Sequence, residues 1–373
     1  MHILFLDPFH GGSHAAVSVG YAQHSQHDLT LLTLPTDGGW RWRMRGAAIT
    51  LARQLRTLVA EQGTLFDLIV TTDMLDLATF LGLTRDLTAT IPTAIYFHEN
   101  QLTYPLPQER KRDLSFSWIN YTSVVIADAV LFNSEFHRRV FTQSLVGLSG
   151  RYYDHQELDL IKQIDAKSQV LAPGIDLVRF DQYKPTSVSH AAEEHVPIIL
   201  WNSRWDYDKQ PHAFFDALAT LEARGVDFRL IVVGEYIDPK AEEFIAVRER
   251  FASQTLAWGY VEDSAEYARL LWQADIVVSA AIQEFFGIGL VEAMYCECVP
   301  IVPRRLSYPS LIPEHYHSDC LYESERGLVD KLQFAIANLA KLKAHDFRGV
   351  AAPYDWKQIV QQYDEMFAAV SQR

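Results

Sequence analysis

The sequence predicts an α/β chain of two domains, each a parallel sheet covered by helices on both faces, and three observations carry that reading. At 373 residues the chain is longer than one hydrophobic core usually fills. Short, almost uninterrupted apolar runs alternate with helical stretches, as strands buried on both faces require. That grammar occurs twice, on either side of a polar stretch at residues 181–195, where Pro, Ser, Glu and Lys replace the apolar runs.

Residues 2–6 form the first expected strand, an apolar run closed by Asp7-Pro8 and too short for a secretory core. Strands at 29–34, 67–71, 93–98, 129–132 and 169–171 follow, with helices at 13–23, 44–61, 115–127 and 135–145. The second half repeats the pattern with strands at 197–201, 228–233, 255–258, 275–279 and 299–302. Its helices fall at 211–224, 239–251, 264–273 and 290–296, the first of them opened by Pro211. The expected domains are therefore 1–180 and 196–354, both Rossmann-like, with a cleft between them. A last helix within 355–373, at 356–370, lacks a strand partner and is free to cross back to the first domain.

Bulk composition narrows the function classes. With 49% hydrophobic and 21% charged residues the chain reads as an ordinary soluble protein. No apolar stretch approaches the roughly 18 residues of a membrane span. Cys296, Cys298 and Cys320 make no CxxC and no disulfide framework, which suits a reducing cytoplasm and argues against zinc. The net charge of -14 argues against indiscriminate nucleic-acid binding. The acidity is uneven, with -3 in residues 1–180 and -11 in the remainder. Residues 40–56 hold five arginines and no acid.

Candidate site residues cluster where strands end. Glu284-Phe285-Phe286-Gly287-Ile288-Gly289-Leu290-Val291-Glu292 places two carboxylates eight residues apart around a turn that leads from a strand into a helix. Free amides and the positive end of that helix favour an anion. Ionised carboxylates beside an anion site make sense if the ligand also carries hydroxyls, because they only accept hydrogen bonds. A nucleotide sugar has both. Arg204 and Lys209 lie in the loop after the first strand of the second half and can clamp a diphosphate. The alternative is a solvated loop balanced by Asp206 and Asp208, whose D-x-D spelling is not taken as a metal site.

In the first half, Phe9-His10-Gly11-Gly12-Ser13-His14 ends the first strand and leaves helix-start amides open to a ligand, or is simply a tight turn. His98-Glu99-Asn100-Gln101 follows a buried strand, and four polar residues there are costly unless they face a cleft or water. His98 is the preferred cleft histidine, with a hydrogen-bonded structural histidine as the alternative. Asn133-Ser134-Glu135 reads as a helix N-cap. Trp40-Arg41-Trp42-Arg43-Met44-Arg45 interleaves aromatics with arginines, which can stack on bases and neutralise phosphates. The alternative is an amphipathic helix start whose tryptophans are core.

Taken together, the Glu284/Glu292 pair, Arg204/Lys209, the glycine turn and Pro173-Gly174-Ile175-Asp176 resemble the retaining GT-B glycosyltransferases. The first half resembles the tRNA-queuosine alpha-mannosyltransferase family. That likeness rests on Phe9–His14, Thr33-Leu34-Pro35 followed by Trp40–Arg45, Tyr96–Gln101 with Tyr104-Pro105, and Val130–Ser134. The resemblance implies a GT-B fold and a cytoplasmic enzyme that moves mannose from GDP-mannose to queuosine in a tRNA anticodon loop, with no metal or other cofactor. By the same resemblance Glu284 holds hexose hydroxyls, Glu292 the ribose, and Arg204 and Lys209 the diphosphate. Phe286, Gly287, Ile288, Gly289 and Leu290 line the donor with Gly11 and Gly12, and His98 faces the transferred sugar. Ser13, His14, Trp40, Arg41, Trp42, Arg43, Arg45, Glu99, Asn100 and Gln101 are the acceptor and RNA candidates. The acidic balance and Asp206/Asp208 leave other readings open: hexosyl transfer to a small molecule, lipid or glycan, a nucleotide-sugar epimerase, or a non-catalytic binder. Protein partners are not assigned.

Overall fold

Runs of Val, Ile, Leu and Phe without polar alternation are satisfied only by strands paired on both edges and covered on both faces, and the apolar runs fold that way. The computed structural model describes residues 1–106, 111–151, 153–186, 195–235 and 242–373. Most of the polar stretch expected at 181–195 (187–194) and the start of the helix expected at 239–251 lie outside the described residues.

The first parallel sheet comprises β1 (His2–Asp7), β2 (Asp28–Thr33), β3 (Leu68–Thr72), β4 (Thr93–Phe97), β5 (Ala129–Phe132) and β6 (Ser168–Val170), in the order β2-β1-β3-β4-β5-β6. The second comprises β7 (Ile198–Asn202), β8 (Arg229–Val233), β9 (Thr255–Gly259), β10 (Ile276–Val278), β11 (Val299–Pro303) and β12 (Leu321–Tyr322), in the order β12-β11-β10-β7-β8-β9. Every residue of β3, β4 and β5 is buried. A recurring device fixes the strand starts: an aspartate just before one strand accepts a hydrogen bond from the first amide of its neighbour. Asp67 holds His2 at 2.7 Å, Asp128 holds Thr93 at 2.8 Å, and Asp275 holds Ile198 at 2.9 Å. Each satisfies a donor that the ladder leaves over.

The two sheets follow the two doubly wound orders. Renumbered from its own first strand, the second sheet reads 6-5-4-1-2-3, the Rossmann order, and reverses direction between β7 and β10. The first reads 2-1-3-4-5-6, the flavodoxin-like order, and reverses between β1 and β3. Ligands of such sheets bind beyond the carboxyl ends of the strands at the reversal, so those two places are where function is sought.

By its contacts the chain divides into one unit of Met1–Asp176 with Trp356–Arg373 and another of Leu177–Asp355. The passage falls slightly before residue 180, because Val178–Tyr183 packs within the second unit. There Trp272 Nε1 donates to the Phe180 carbonyl at 2.8 Å, and Asp355 accepts from the amides of Leu177 and Val178. The last helix, Trp356–Ser371, lies in the first unit against Gly12–His24, where Tyr21 Oη donates to Asp364 at 2.9 Å. Gly174 is obligatory for this docking: a Cβ there would lie 2.4 Å from the Trp356 indole. The helix expected at 44–61 begins earlier, at Gly39, and runs to Gln62, so Trp40–Arg45 form its opening turns. The helices Leu77–Leu83, Leu158–Ala166 and Glu325–Ala337 and the short β12 were not expected.

Candidate active site

In the second unit the reversal between β7 and β10 gathers Arg204, Lys209 and Glu284. The loop after β7 turns through a short 3-10 segment, Tyr207–Lys209, started by Asp206, whose carboxylate accepts from the Tyr207 amide at 2.7 Å. Lys209 Nζ then reaches the Gln283 carbonyl at 2.8 Å, Glu284 Oε2 at 3.1 Å and Asp208 Oδ2 at 3.3 Å. Burial alone would lower its pKa. The Glu284 and Asp208 carboxylates outweigh that and raise it, against the opposing charge of nearby Arg204. Asp206 and Asp208 are thus engaged as a cap and a counter-charge.

After Glu284 the backbone enters the helix Ile288–Tyr295 through Gly287, whose φ of +108° lies in the region that favours glycine. No side chain caps this helix, so the opening amides of Ile288, Gly289 and Leu290 have no partner within it. Ser307 Oγ fixes the turn by donating to the Phe286 carbonyl at 2.8 Å, and Arg305 holds the β10 exit through the carbonyls of Ala280 and Ala281. Asn202, the last residue of β7, donates to the Gly289 carbonyl at 2.8 Å, tying the strand end to the helix start.

Glu292 is buried about one turn into that helix. Its Oε2 accepts from Tyr267 Oη at 2.9 Å and its Oε1 from Arg179 at 3.1 Å. Burial raises its pKa, opposed by Arg179 and Tyr267. A carboxylate has about four lone-pair sites, so each oxygen keeps capacity for a further hydrogen bond. Arg179 and Tyr267 carried no sequence signal, because only folding brings residues 179, 267 and 292 together.

In the first unit the reversal between β1 and β3 is lined by histidines and acids. Asp7 ends β1 fully buried, and accepts from His10 Nδ1 at 2.8 Å and Ser18 Oγ at 3.2 Å. The chain turns at Gly12, with φ of +51°, into the helix that carries His14. The His14 ring stacks on His98 with centroids 4.1 Å apart. Both imidazoles are pushed below the usual histidine range by burial, and His98 further by His14 and His137. Asp73, directly after β3, accepts from the His98 amide at 2.8 Å. Burial and the Glu99 charge hold its carboxyl well above the usual range. Thr72 Oγ1, Asp73 Oδ2, His14 Nδ1 and His98 Nε2 are all buried without a hydrogen-bond partner. Such a concentration in one place calls for a polar partner, a ligand or ordered water.

The rest of the 98–101 segment is held in place by hydrogen bonds to the chain around it. Asn133 Nδ2 donates to the His98 carbonyl at 2.9 Å, while Ser134 caps the next helix as expected. Gln101 Nε2 bonds Glu99, the Gln101 amide bonds Asn120, and Asn100 Oδ1 closes a turn onto Leu102 and Thr103. Asp73 had a legible signal, an acid immediately after the strand Leu68-Ile69-Val70-Thr71-Thr72. Ser13 is exposed at the start of the first helix.

The aromatic–arginine segment divides. Met44 is fully buried with Met74 and Phe116, and Trp40 packs edge-on against Phe116 at 5.0 Å. Arg41 lies over Trp40, Arg43 bonds the Pro35 carbonyl, and Arg45 pairs with Asp113 at 2.8 Å. Trp42 is 62% exposed. Phe9, which packs on the same cluster, meets His14 edge-on at 6.0 Å, so this helix start adjoins the histidine site.

Comparison with known proteins identifies the family and the fold. Residues 2–175 match the family model for the tRNA-queuosine alpha-mannosyltransferase N-terminal region, and residues 184–346 match that of glycosyl transferases group 1. The chain is 34% identical over 335 residues to the tRNA-queuosine alpha-mannosyltransferase of Drosophila melanogaster, covering 89% of this chain and 86% of that one. It is 25% identical over 251 residues, 61% of each chain, to a GDP-mannose:cellobiosyl-diphosphopolyprenol alpha-mannosyltransferase of Xanthomonas oryzae. Among solved structures, the catalytic domain of starch synthase IV from Arabidopsis thaliana superposes with a TM-score of 0.73 at 13% identity, covering 100% of this chain and 99% of that one. A glycosyltransferase from Rickettsia africae gives 0.70 at 16% identity, covering 99% and 98%. The fold is GT-B.

Proposed function

The chain belongs to the tRNA-queuosine alpha-mannosyltransferase family, and from that premise we propose the donor, the acceptor and the residues that serve each. It is an alpha-mannosyltransferase. The donor is GDP-mannose and the acceptor is queuosine in the anticodon loop of a tRNA, with no metal or other cofactor assigned. Asp206 and Asp208 already serve as cap and counter-charge, so the D-x-D pair is given no metal role. Work on tRNA makes the cytoplasm the natural location, and no described helix is long and apolar enough to cross a membrane.

The observation that carries this reading is the buried Lys209–Glu284 contact beside Arg204 and an uncapped helix start. Two cations and free amides suit a diphosphate, while Glu284 and Glu292 suit hydroxyls. Transfer with retention breaks the bond from the anomeric carbon to phosphate and forms one to the acceptor oxygen on the same face. The acceptor proton passes to the leaving phosphate. Arg204 and Lys209 neutralise the charge that develops on GDP, so catalysis is positioning and electrostatic stabilisation. Glu284 orients the hexose and Glu292 the ribose, Phe286 to Leu290 line the donor, and Gly11 and Gly12 allow close approach. His98, kept neutral by its surroundings, is assigned to the transferred sugar, with Ser13, His14 and Glu99 to Gln101 on the acceptor side. Trp40, Arg41, Trp42, Arg43 and Arg45 meet the RNA.

The test is label transfer from GDP-mannose into tRNA with or without queuosine. Label is expected only in the queuosine-containing RNA, and Glu284→Ala abolishes it. Label in neither RNA, with turnover on a lipid or glycan pool, overturns the acceptor assignment. Thermal shifts with GDP-, UDP- and ADP-sugars decide the base.

A further inference from the structure

The opening of the helix Gly39–Gln62 accounts for only part of an unusual surface. The helix carries five arginines, at 41, 43, 45, 53 and 56, and no acid before Glu61, in a chain of net charge -14. Arg45 is neutralised by Asp113 and Arg56 by Asp86. Among the described residues no carboxylate pairs with Arg41, Arg43 or Arg53. The side buried by Met44, Ala47, Ala48, Leu51, Ala52 and Leu55 leaves an opposite stripe through Trp42, Ile49 and Arg53, spaced seven and four residues apart. That stripe spans about 16 Å at 1.5 Å per residue.

The apolar members of the stripe are not core. Trp42 is 62% and Ile49 56% exposed. A Cβ at Gly46 would lie 3.3 Å from the Trp42 six-membered ring, so the missing side chain lets the indole lie close along the helix. Beyond Ile49 the helix borders an open concavity of ≈ 530 Å³ lined by Leu32, Thr50, Arg53, Gln54, Thr57 and Glu61, among others. Gln54 Oε1 is buried there without a hydrogen-bond partner. A flat aromatic, the Arg53 guanidinium and a hollow whose partly apolar wall carries Thr50, Gln54 and Thr57 match how single strands are held: stacking on a π-face, phosphate neutralisation and hydrogen bonds to ribose or base.

We propose that the exposed stripe Trp42–Ile49–Arg53, with the Gln54 concavity, is a second RNA station that binds an unpaired strand of the tRNA beyond the modified nucleotide. This rests on the tRNA reading above and extends the contact about two turns past Arg45. Trp42 stacks on a base, Arg53 neutralises a phosphate, and Thr50, Gln54 and Thr57 bond a ribose or base edge. Glu61, at the concavity's acidic side, accepts from a hydroxyl or an exocyclic amine.

The experiment measures the salt dependence of tRNA affinity, alongside mannose transfer, for the unaltered protein, Arg53→Ala, Arg53→Lys and Trp42→Ala. All three changes sit on exposed positions. Arg53→Ala is expected to weaken tRNA binding about threefold to tenfold and to lower the slope of log K against log salt by about one. Arg53→Lys keeps the slope. Trp42→Ala weakens affinity while leaving the slope in place. An Arg53→Ala protein with unchanged affinity and slope, from an unaltered protein that does mannosylate tRNA, overturns the station alone. An unaltered protein that transfers no mannose to tRNA overturns the underlying reading. Arg53-dependent binding to phosphatidylglycerol vesicles, with no such dependence for tRNA, assigns the stripe to a membrane surface and also overturns the proposal.

Discussion

Removing the ammonium of Lys209 separates its two proposed duties, holding the second unit's loop together and neutralising a diphosphate. Lys209 is 11% exposed and lies 3.1 Å from Glu284 and 3.3 Å from Asp208, which are 26% and 3% exposed. Lys209→Met leaves two carboxylates facing one another without the cation. Breaking a buried pair costs about 3–5 kcal/mol, and the partial exposure of Glu284 places this case near the lower end, about 3 kcal/mol. Adding Glu284→Gln removes one of the stranded charges and restores about 1–2 kcal/mol. Activity follows a different rule: both proteins lack the cation and lose about 10²–10³-fold in mannose transfer. Urea unfolding followed by fluorescence reads stability, since Trp201, Trp205, Trp258 and Trp272 all lie in the second unit. GDP release reads turnover. A double variant no more stable than Lys209→Met refutes the charge-pair account. A double variant that regains turnover refutes the diphosphate role.

Acid should weaken the first unit through its buried imidazoles. Burial holds His14, His98 and His137 below the ordinary histidine value of about 6.5, so below about pH 6.5 the unfolded chain takes protons that the fold refuses. Stability therefore falls as pH drops from about 6.5, against an opposite contribution from Asp73, whose folded pKa is raised above 3.8. Thermal midpoints from pH 8 to 5.5 should decline, and His98→Gln should flatten the decline; a flat profile for the unaltered protein contradicts the burial argument. Gly174→Ala forces a methyl against the fully buried Trp356 ring and is expected to cost about 1–3 kcal/mol. Trp356→Phe in the same chain should recover part of that loss, and wild-type melting of Gly174→Ala alone would disprove the close packing.

Local signals made much of this protein legible in one dimension. An apolar run between turns is a buried strand wherever it occurs, and a glycine between strand and helix marks an open amide site. The loops at Gly11–His14 and Glu284–Glu292 were visible for that reason, and Arg204–Lys209 because it joins a buried strand to a helix opened by Pro211. Boundaries were less so: the Gly39–Gln62 helix starts early because Trp40 and Met44 find Phe116, a partner more than seventy residues away. Asp73 beneath His98 was legible as an acid at a strand end, whereas nothing local marked Arg179 and Tyr267 as partners of Glu292. Strand order was also beyond the sequence, since the same alternation of strands and helices suits a flavodoxin-like or a Rossmann sheet. Composition and periodicity act on neighbours along the chain, whereas charge pairing, ring stacking and proton affinity depend on which distant residues burial forces together. The sequence by itself determined two parallel sheets and the loops where ligands meet them; only the tertiary structure decided where each sheet reverses and which side chains share a proton or a charge there.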